Sequence, residues 1–313
     1  MRPYLLAAGV VILRALAFPH GSQGQVPVLT LPTKAGHSFV EAPLMRMPFV
    51  RTTVKLSIGA GESGELDYGT VVLPQGDTLV ALRGQLAVAN LAFEYQYAVR
   101  DWLGVYTEVS GRARTGTDGP SLFETGVSYG VGFEMGWLAQ LHESERSLLS
   151  GSFYLAKRDV AFIEPLGFVE DGVQGRPPEL MTTTPSLRVG TSVHYALAIS
   201  RVVGVYGTGT ASFGESLRDR ETEWLFGLVG GVSLDLKAEG VPIGIALTGR
   251  TDDDASAIGS AKGPWAALGV RLTYTRPTDM QLSLVSTVNR VPFTEAERMT
   301  VTEIGVEMRY YFF

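Results

Sequence analysis

The segment Leu187-Arg-Val-Gly-Thr-Ser-Val-His-Tyr-Ala-Leu-Ala-Ile199 decides the fold of this chain. Apolar residues, with Thr191 among them, occupy its odd positions, and small or polar residues occupy the even positions. A repeat of two residues indicates a β-strand, because successive side chains of a strand point to opposite faces of the sheet. The segment is also long: a strand usually has about five or six residues, whereas a tilted strand needs about 9 to 11 to cross a bilayer.

The same alternation recurs from Phe49 to the C-terminus and predicts twelve strands. They cover, in chain order, residues 49–60, 91–99, 103–112, 127–136, 148–157, 187–199, 203–213, 224–236, 242–250, 265–275, 280–289 and 300–313. Links of three to nine residues alternate with links of nine to twenty-seven. An even number of strands, with short turns on one side and long loops on the other, is typical of outer-membrane barrels.

The two faces of these strands differ in chemistry. One face carries large aliphatic and aromatic residues, and the other carries Gly, Ser, Thr, Ala and a few charges. A soluble sandwich also alternates, but its polar face usually carries Lys and Glu. Unpaired backbone groups are costly in lipid, so the sheet must close, and the first strand should pair with the last. We therefore predict an all-β protein, a closed antiparallel transmembrane β-barrel of about 12 strands in an up-and-down meander, with a water-accessible lumen.

One stretch does not fit this pattern. Between Thr78 and Ala89 the apolar residues Val80, Leu82 and Leu86 occupy even positions, before Leu91 restores the odd phase. A β-bulge, a strand that projects beyond the membrane, or an additional hairpin that raises the count to fourteen strands would each explain the change of phase.

The composition and the N-terminal residues limit the range of possible functions. The chain has no cysteine, which excludes thiolate metal centres and cysteine nucleophiles, and a net charge of -6 argues against nucleic acid. Residues 1–24 resemble an export signal with Arg2 before an apolar run, and cleavage after residue 17 is the alternative. We expect residues 25–48 to form a periplasmic arm or plug and residues 49–313 to form the barrel.

The C-terminal residues carry a family resemblance. Ile304, Val306, Met308 and Tyr310 alternate towards an aromatic end, and the stretch resembles the last strand of bacterial outer-membrane barrels. The resemblance implies an outer-membrane location and recognition of Tyr310, Tyr311, Phe312 and Phe313 by the barrel assembly machinery. The number of strands and the glycine and aromatic content also resemble porin-like and transporter-like barrels for small organic compounds.

Charged residues on the small, polar face are the candidate selectivity residues of the lumen. The alternation places these side chains inside: Glu94, Glu108, Arg112, Glu134, Arg188, Asp235, Arg250 and Arg271, with Lys55, Glu303, Glu307 and Arg309 on the same face. They could select permeants at a constriction, or they could form a salt-bridged interior that only neutralises buried charges.

The turn at residues 100–102 makes one contact predictable. If Val99 pairs with Leu103, then Glu94 faces Glu108 and Asn90 faces Arg112. Two opposed carboxylates repel each other, so we expect either a proton on one of them or a cation between them.

Other motifs give weaker signals. His142 and Ser144 are similar to the His-x-Ser pair of outer-membrane lipid esterases, but residue 156 is Ala where the orienting residue would be expected, and a solvated turn is the simpler interpretation. Asp252, Asp253 and Asp254 fall in a predicted outer loop without the alternate spacing that calcium sites use. His194 lies alone on the inner face and is best explained as structural.

Together these features predict an outer-membrane channel or transporter that passes small molecules through its lumen without catalysis, metal or cofactor. Its partners would be membrane lipid, the assembly machinery and a small-molecule permeant. Two alternatives stay open: a structural or adhesive barrel whose lumen is plugged, and an outer-membrane lipid esterase.

Overall fold

A computed structural model describes residues 31–72, 78–119, 121–122, 126–163, 168, 171, 175, 177, 180–215, 222–253, 263–276, 279–292 and 298–312. The predicted signal sequence at 1–24 and the C-terminal Phe313 lie outside the described residues.

Twelve strands form one closed antiparallel barrel, which confirms the predicted fold class. In barrel order they are β3 (Thr53–Ser63), β6 (Leu86–Arg100), β7 (Leu103–Gly116), β8 (Val127–Glu143), β9 (Ser147–Ile163), β10 (Met181–Ala198), β11 (Val203–Glu215), β12 (Thr222–Asp235), β13 (Ile243–Asp252), β14 (Trp265–Tyr274), β15 (Met280–Pro292) and β16 (Arg298–Tyr311). Strand β16 closes the barrel against β3, from Val301 opposite Ser63 to Tyr311 opposite Thr53. A 3-10 turn (Leu236–Glu239) links β12 and β13.

Two short hairpins lie outside the barrel sheet. The pair β1 (Thr33–Lys34) and β2 (His37–Ser38) precedes the first barrel strand, and the pair β4 (Leu66–Val72) and β5 (Thr78–Gly84) follows it. The second hairpin explains the change of phase between 78 and 89. It forms its own two-stranded sheet while β3 pairs directly with β6, so a hairpin is the explanation that the structure shows, but it does not raise the barrel to fourteen strands.

The outward residues form an apolar surface. The most exposed of them include Leu268 (68%), Leu228 (63%), Trp224 (62%) and Ile58 (61%), an exposure that only a lipid environment stabilises. Trp265 differs from these outward residues, because it faces inward at the start of β14 and contacts the Arg250 guanidinium. Among the described residues, no helix is long and apolar enough to cross a membrane.

Strands are longer than the sequence pattern predicted. Strand β9 continues to Ile163 and β10 begins at Met181, so Arg158 lies on the inner face of a strand and not in a loop. At the other end of the barrel the predicted link from Leu138 to Arg146 shrinks to residues 144–146, because β8 runs to Glu143. The short turns and both barrel termini share one end, which the topology of this fold class assigns to the periplasm.

Inward glycines make room for tyrosine rings inside the wall. Gly136 lies directly opposite Tyr106, and Gly190 lies directly opposite Tyr154. A Cβ added to Gly136 would approach Tyr106 Oη to 2.7 Å and the backbone oxygen of Phe153 to 2.4 Å. The absence of a side chain at Gly136 therefore allows the close packing of β7, β8 and β9.

We expect Gly136→Ala to destabilise the barrel by about 1–3 kcal/mol, because the added methyl group overpacks a site bounded by backbone. Urea unfolding in detergent, followed by tryptophan fluorescence, measures the change. Gly207→Ala is the matched control, since nothing lies within 4 Å of its added Cβ, and its free energy should stay within about 0.5 kcal/mol of the wild type. Equal stability of the two variants would contradict the packing argument.

Candidate functional site

Residues 31–52, called the N-terminal arm below, lie inside the barrel. The arm begins at the short-turn end, where His37 Nδ1 approaches Arg201 O (3.2 Å) and the backbone N–H of Val40 donates to Ser233 Oγ (3.1 Å). It then rises to a tip at Leu44, whose positive φ of 66° reverses the chain. Arg250 Nη1 donates to the Leu44 carbonyl there (3.3 Å), and the chain descends to β3.

The lower part of the arm is anchored by apolar packing. Phe39, Met47 and Phe49 of the arm form a buried cluster with Leu148 and Tyr206 of the wall. Backbone oxygens of the arm are satisfied by wall side chains, since Ser150 Oγ donates to Pro48 O (2.6 Å) and Gln96 Nε2 donates to Phe49 O (2.9 Å). The periplasmic half of the lumen is therefore filled by the chain itself.

Glu41 of the arm occupies what we call the carboxylate site, formed by Lys55, Arg271 and Arg309 of the wall. Arg271 Nη1 lies 2.8 Å from the Glu41 carboxylate, Arg309 donates to it from Nε (3.0 Å) and Nη2 (2.8 Å), and Lys55 Nζ lies at 3.2 Å. The carboxylate is buried, and three cations compensate the loss of its hydration.

Arg46 of the arm occupies what we call the guanidinium site, formed by Glu94, Glu108, Glu134 and Tyr106. Its Nη1 donates to Glu94 (2.9 Å), and its Nη2 lies 3.3 Å from Glu108 and 3.4 Å from Glu134. The guanidinium carbon lies 3.5 Å from the centroid of the Tyr106 ring, the geometry of a cation–π contact.

Strand register places the two sites side by side. Arg309 is opposite Lys55, Lys55 is opposite Glu94, Glu94 is opposite Glu108, and Glu108 is opposite Glu134. The expected pairing of Glu94 with Glu108 is therefore present, and the cation between them belongs to the arm. Arg309 Nη2 joins the sites, since it lies 2.8 Å from Glu41 and 2.8 Å from Glu94.

A second charged layer lies nearer the long loops. Arg112 forms an ion pair with Glu303, and the same carboxylate accepts hydrogen bonds from Asn90 (2.6 Å) and Asn289 (2.9 Å). As predicted, Asn90 and Arg112 are opposite each other. Arg188 donates from Nε to Glu215 O (2.9 Å), and Arg250 pairs with Asp252 (2.5 Å).

Two cavities lie between the arm and the long loops. The outer cavity has a volume of about 400 Å³ and is bounded below by Pro43 and Leu44 of the arm and laterally by Arg112, Arg158 and Arg250. The inner cavity, of about 310 Å³, lies beside Arg46 and reaches both the carboxylate site and the guanidinium site. Open space thus adjoins the docked arm.

The structure distributes the predicted lumen residues over three places. Glu94, Glu108, Glu134 and Arg271 meet around the arm, while Arg112, Arg188 and Arg250 line the cavities. Asp235 lies at the short-turn end, where it accepts from the backbone N–H of Lys237 (3.0 Å) and caps the 3-10 turn. It also accepts from the backbone N–H of Ser38 in the arm (3.3 Å), so Asp235 contacts both the turn and the start of the arm.

Sequence reasoning missed Glu41, Arg46 and Arg158. The arm has no strand periodicity, so nothing in its pattern shows which of its residues face the wall; isolated charges within an apolar, proline-containing stretch were the available signal. Arg158 was missed because the strand was predicted to end at Lys157.

The remaining motifs fall into structural roles. Ser144 Oγ accepts from the backbone N–H of Ser147 (2.9 Å) in the short turn after β8, and His142 is exposed at the same end. His194 is buried between Ser152 Oγ (3.0 Å) and Thr208 Oγ1 (3.1 Å). Within the described ranges no group of three His, Asp or Glu residues could hold a metal ion.

The C-terminal strand has two kinds of aromatic residue. Tyr310 and Phe312 form an edge-to-face pair with centroids 4.8 Å apart, and Phe312 is exposed on the outer surface. Tyr311 points inward, where its hydroxyl lies 3.3 Å from Gln281 Oε1.

The chain matches no known protein family and no curated protein, and the solved structures that it resembles are distant from it. The translocator domain of the autotransporter NalP from Neisseria meningitidis is 9% identical, with a TM-score of 0.46 over 83% of this chain and 89% of that chain. A FadL homologue from Pseudomonas aeruginosa is 9% identical, with a TM-score of 0.44 over 84% and 91%. The KdgM porin in complex with disordered oligogalacturonate is 11% identical, with a TM-score of 0.41 over 82% and 99%.

We expect Arg46→Ala to destabilise the barrel by about 2–3 kcal/mol, because three carboxylates lose their shared cation. Glu108 and Glu134 keep 33% and 26% of their side-chain surface exposed, so the effect is smaller than the about 3–5 kcal/mol typical of a fully buried pair. Adding Glu134→Gln should restore part of the loss by removing one repelling charge. Lys34→Ala, which breaks an exposed pair with Glu143, is the control and should cost less than about 1 kcal/mol. Additive effects of Arg46→Ala and Glu134→Gln would contradict the proposed coupling.

We also expect the foot of the arm to loosen in acid. Burial lowers the pKa of His37, and it outweighs the hydrogen bond with Arg201 O and the Asp235 charge, which both raise it. Docking is thus at full strength above the ordinary imidazole pKa of about 6.5 and weakens as pH falls below it. Hydrogen exchange of the Val40 amide, corrected for its intrinsic rate, should show less protection at pH 5 than at pH 7.5. His37→Gln should remove this pH dependence of the protection. If the variant shows the same pH profile as the wild type, the pH dependence arises from other titratable groups.

Proposed function

We propose that this protein is an outer-membrane channel for small molecules and that the N-terminal arm gates its lumen. The lipid-facing surface and the closed barrel support the location. The observation that carries the proposal is the combination of cavities next to the arm with an arm held by ionic contacts. The charged groups of a solute can replace such contacts, whereas a lumen meant only to be filled needs no complementary charges.

The C-terminal strand supports a route to the membrane. Its outward residues end in exposed aromatics, and the same pattern in outer-membrane barrels is read by the barrel assembly machinery. We propose that this machinery inserts the protein and that Tyr310 and Phe312 belong to the signal. Transport through the lumen requires no catalytic residue, and we propose none.

One observation favours the alternative of a plugged structural barrel. In the lower part of the arm, the Phe39 ring packs against Phe49 with centroids 5.2 Å apart and against Tyr206 of the wall with centroids 5.5 Å apart, and such packing resists release. An experiment must therefore distinguish an arm that moves from an arm that is permanent.

A disulfide can pin the arm to the wall. Val40 Cβ lies 3.4 Å from a Cβ built on Gly244, close to the separation of about 3.5–4.5 Å in disulfides. The chain has no other cysteine that could compete. We expect oxidised Val40→Cys/Gly244→Cys protein to give little current in planar bilayers, and we expect reduction to restore the stepwise conductance of the wild type.

The single variants Val40→Cys and Gly244→Cys are the controls, and their currents should not respond to reductant. Flat traces from the wild type and from the reduced double variant would favour the plugged barrel. Equal currents from the oxidised and reduced double variant would show that solutes pass the docked arm, and would refute gating.

A further inference from the structure

The two sites that hold the arm are built entirely from the barrel wall. Lys55, Arg271 and Arg309 come from β3, β14 and β16, while the three carboxylates come from β6, β7 and β8. Strand pairing fixes these positions, so both sites persist when the arm leaves. The arm is therefore an occupant of sites whose chemistry is independent of it.

Each site is specific for one kind of charged group. The carboxylate site surrounds the two oxygens of Glu41 with three cations. Two further buried donors, Arg271 Nε and Gln281 Nε2, have no hydrogen-bond partner among the described residues. Gln281 is opposite Arg309 in the strand register. The guanidinium site offers three carboxylates and the face of Tyr106, which fits a planar guanidinium or an ammonium group.

One molecule can reach both sites. The Arg309 guanidinium contacts Glu41 and Glu94 at once, so the two occupants are separated by a single Arg–Glu pair. The inner cavity touches members of both sites, including Lys55, Arg271, Glu94, Glu108 and Glu134. Its volume of about 310 Å³ accommodates a small solute beside the arm and a larger one once the arm tip has moved.

We propose that the wall binds solutes with a carboxylate at one end and a guanidinium or ammonium group at the other, as in a basic amino acid. The docked arm is a tethered competitor, with Glu41 in place of the carboxylate of the solute and Arg46 in place of its cation. The inference rests on the proposed function, because the arm must be able to leave the wall. It adds a substrate class and a means of opening.

Tethering sets the strength of the competition. A segment joined to β3 by a few residues competes at an effective concentration in the millimolar range. Free solute therefore binds weakly to the wild type, and any change that weakens arm docking without altering the wall raises its apparent affinity.

The test uses the full chain in detergent and isothermal titration calorimetry. L-Arginine carries both groups, agmatine carries a guanidinium and an ammonium group but no carboxylate, and glutarate carries carboxylates alone. In Glu41→Ala/Arg46→Ala we expect L-arginine to bind at least tenfold more tightly than in the wild type, and at least tenfold more tightly than agmatine or glutarate. Adding Glu134→Gln, a wall change, should weaken L-arginine binding about tenfold.

Equal affinities for the three probes, or no binding of L-arginine to the double variant, would overturn the proposal. Heat-dependent mobility on gels verifies that each variant is folded. If the alanine variant does not fold, the Val40→Cys/Gly244→Cys chain gives the same answer: L-arginine should bind the reduced form and not the oxidised form, and equal binding to both forms would refute a site under the arm.

Binding and conduction separate the two proposals. If L-arginine binds but the bilayer traces are flat, the proposed binding site is supported and the proposed channel is refuted. Stepwise currents without L-arginine binding to either form keep the channel and refute this site.

Discussion

Charge pairing in a confined lumen is the constraint on which this structure depends. The wall alone places Lys55, Arg271 and Arg309 on one arc, where Glu307 offsets part of their charge, and Glu94, Glu108 and Glu134 on the next, so that like charges are neighbours within each arc. Burial makes uncompensated charge costly. The arm resolves both conflicts with two side chains, Glu41 and Arg46, and this explains why a segment without regular secondary structure is held in one conformation within the barrel.

The barrel can be predicted from the sequence because its side-chain pattern is periodic. Lipid accepts only large apolar side chains and paired backbone, so each strand repeats the same pattern, and twelve strands, the closing pair and the Glu94–Glu108 contact are all predictable from parity and turn length. Strand ends are less predictable, since beyond the membrane nothing enforces the alternation. That is why Arg158, one residue past the predicted end of its strand, was missed, and why the change of phase before Leu91 left the β4–β5 hairpin as one of three alternatives.

The candidate site was only half predictable. Its wall residues are on strands and inherit the inward parity, but its occupants are on the arm, whose path is set by side-chain contacts distant in sequence. Glu41 meets Arg309 across 268 positions, and Arg46 meets Glu134 across 88. No local pattern encodes such contacts. Asp235 shows the opposite limit of prediction from the sequence. The alternation correctly places its side chain on the inner face, but it does not show that Asp235 lies at the short-turn end, beside a turn.

Glu41 also spans the junction between the first and last barrel strands. It contacts Lys55 on β3 and Arg309 on β16, and these two residues face each other across that junction. Arm docking and barrel closure are consequently linked equilibria. The closed barrel stabilises the docked arm, and the docked arm stabilises the closed barrel by the same free energy. Loss of the arm then weakens the barrel at the junction of the two strands that are farthest apart in the chain.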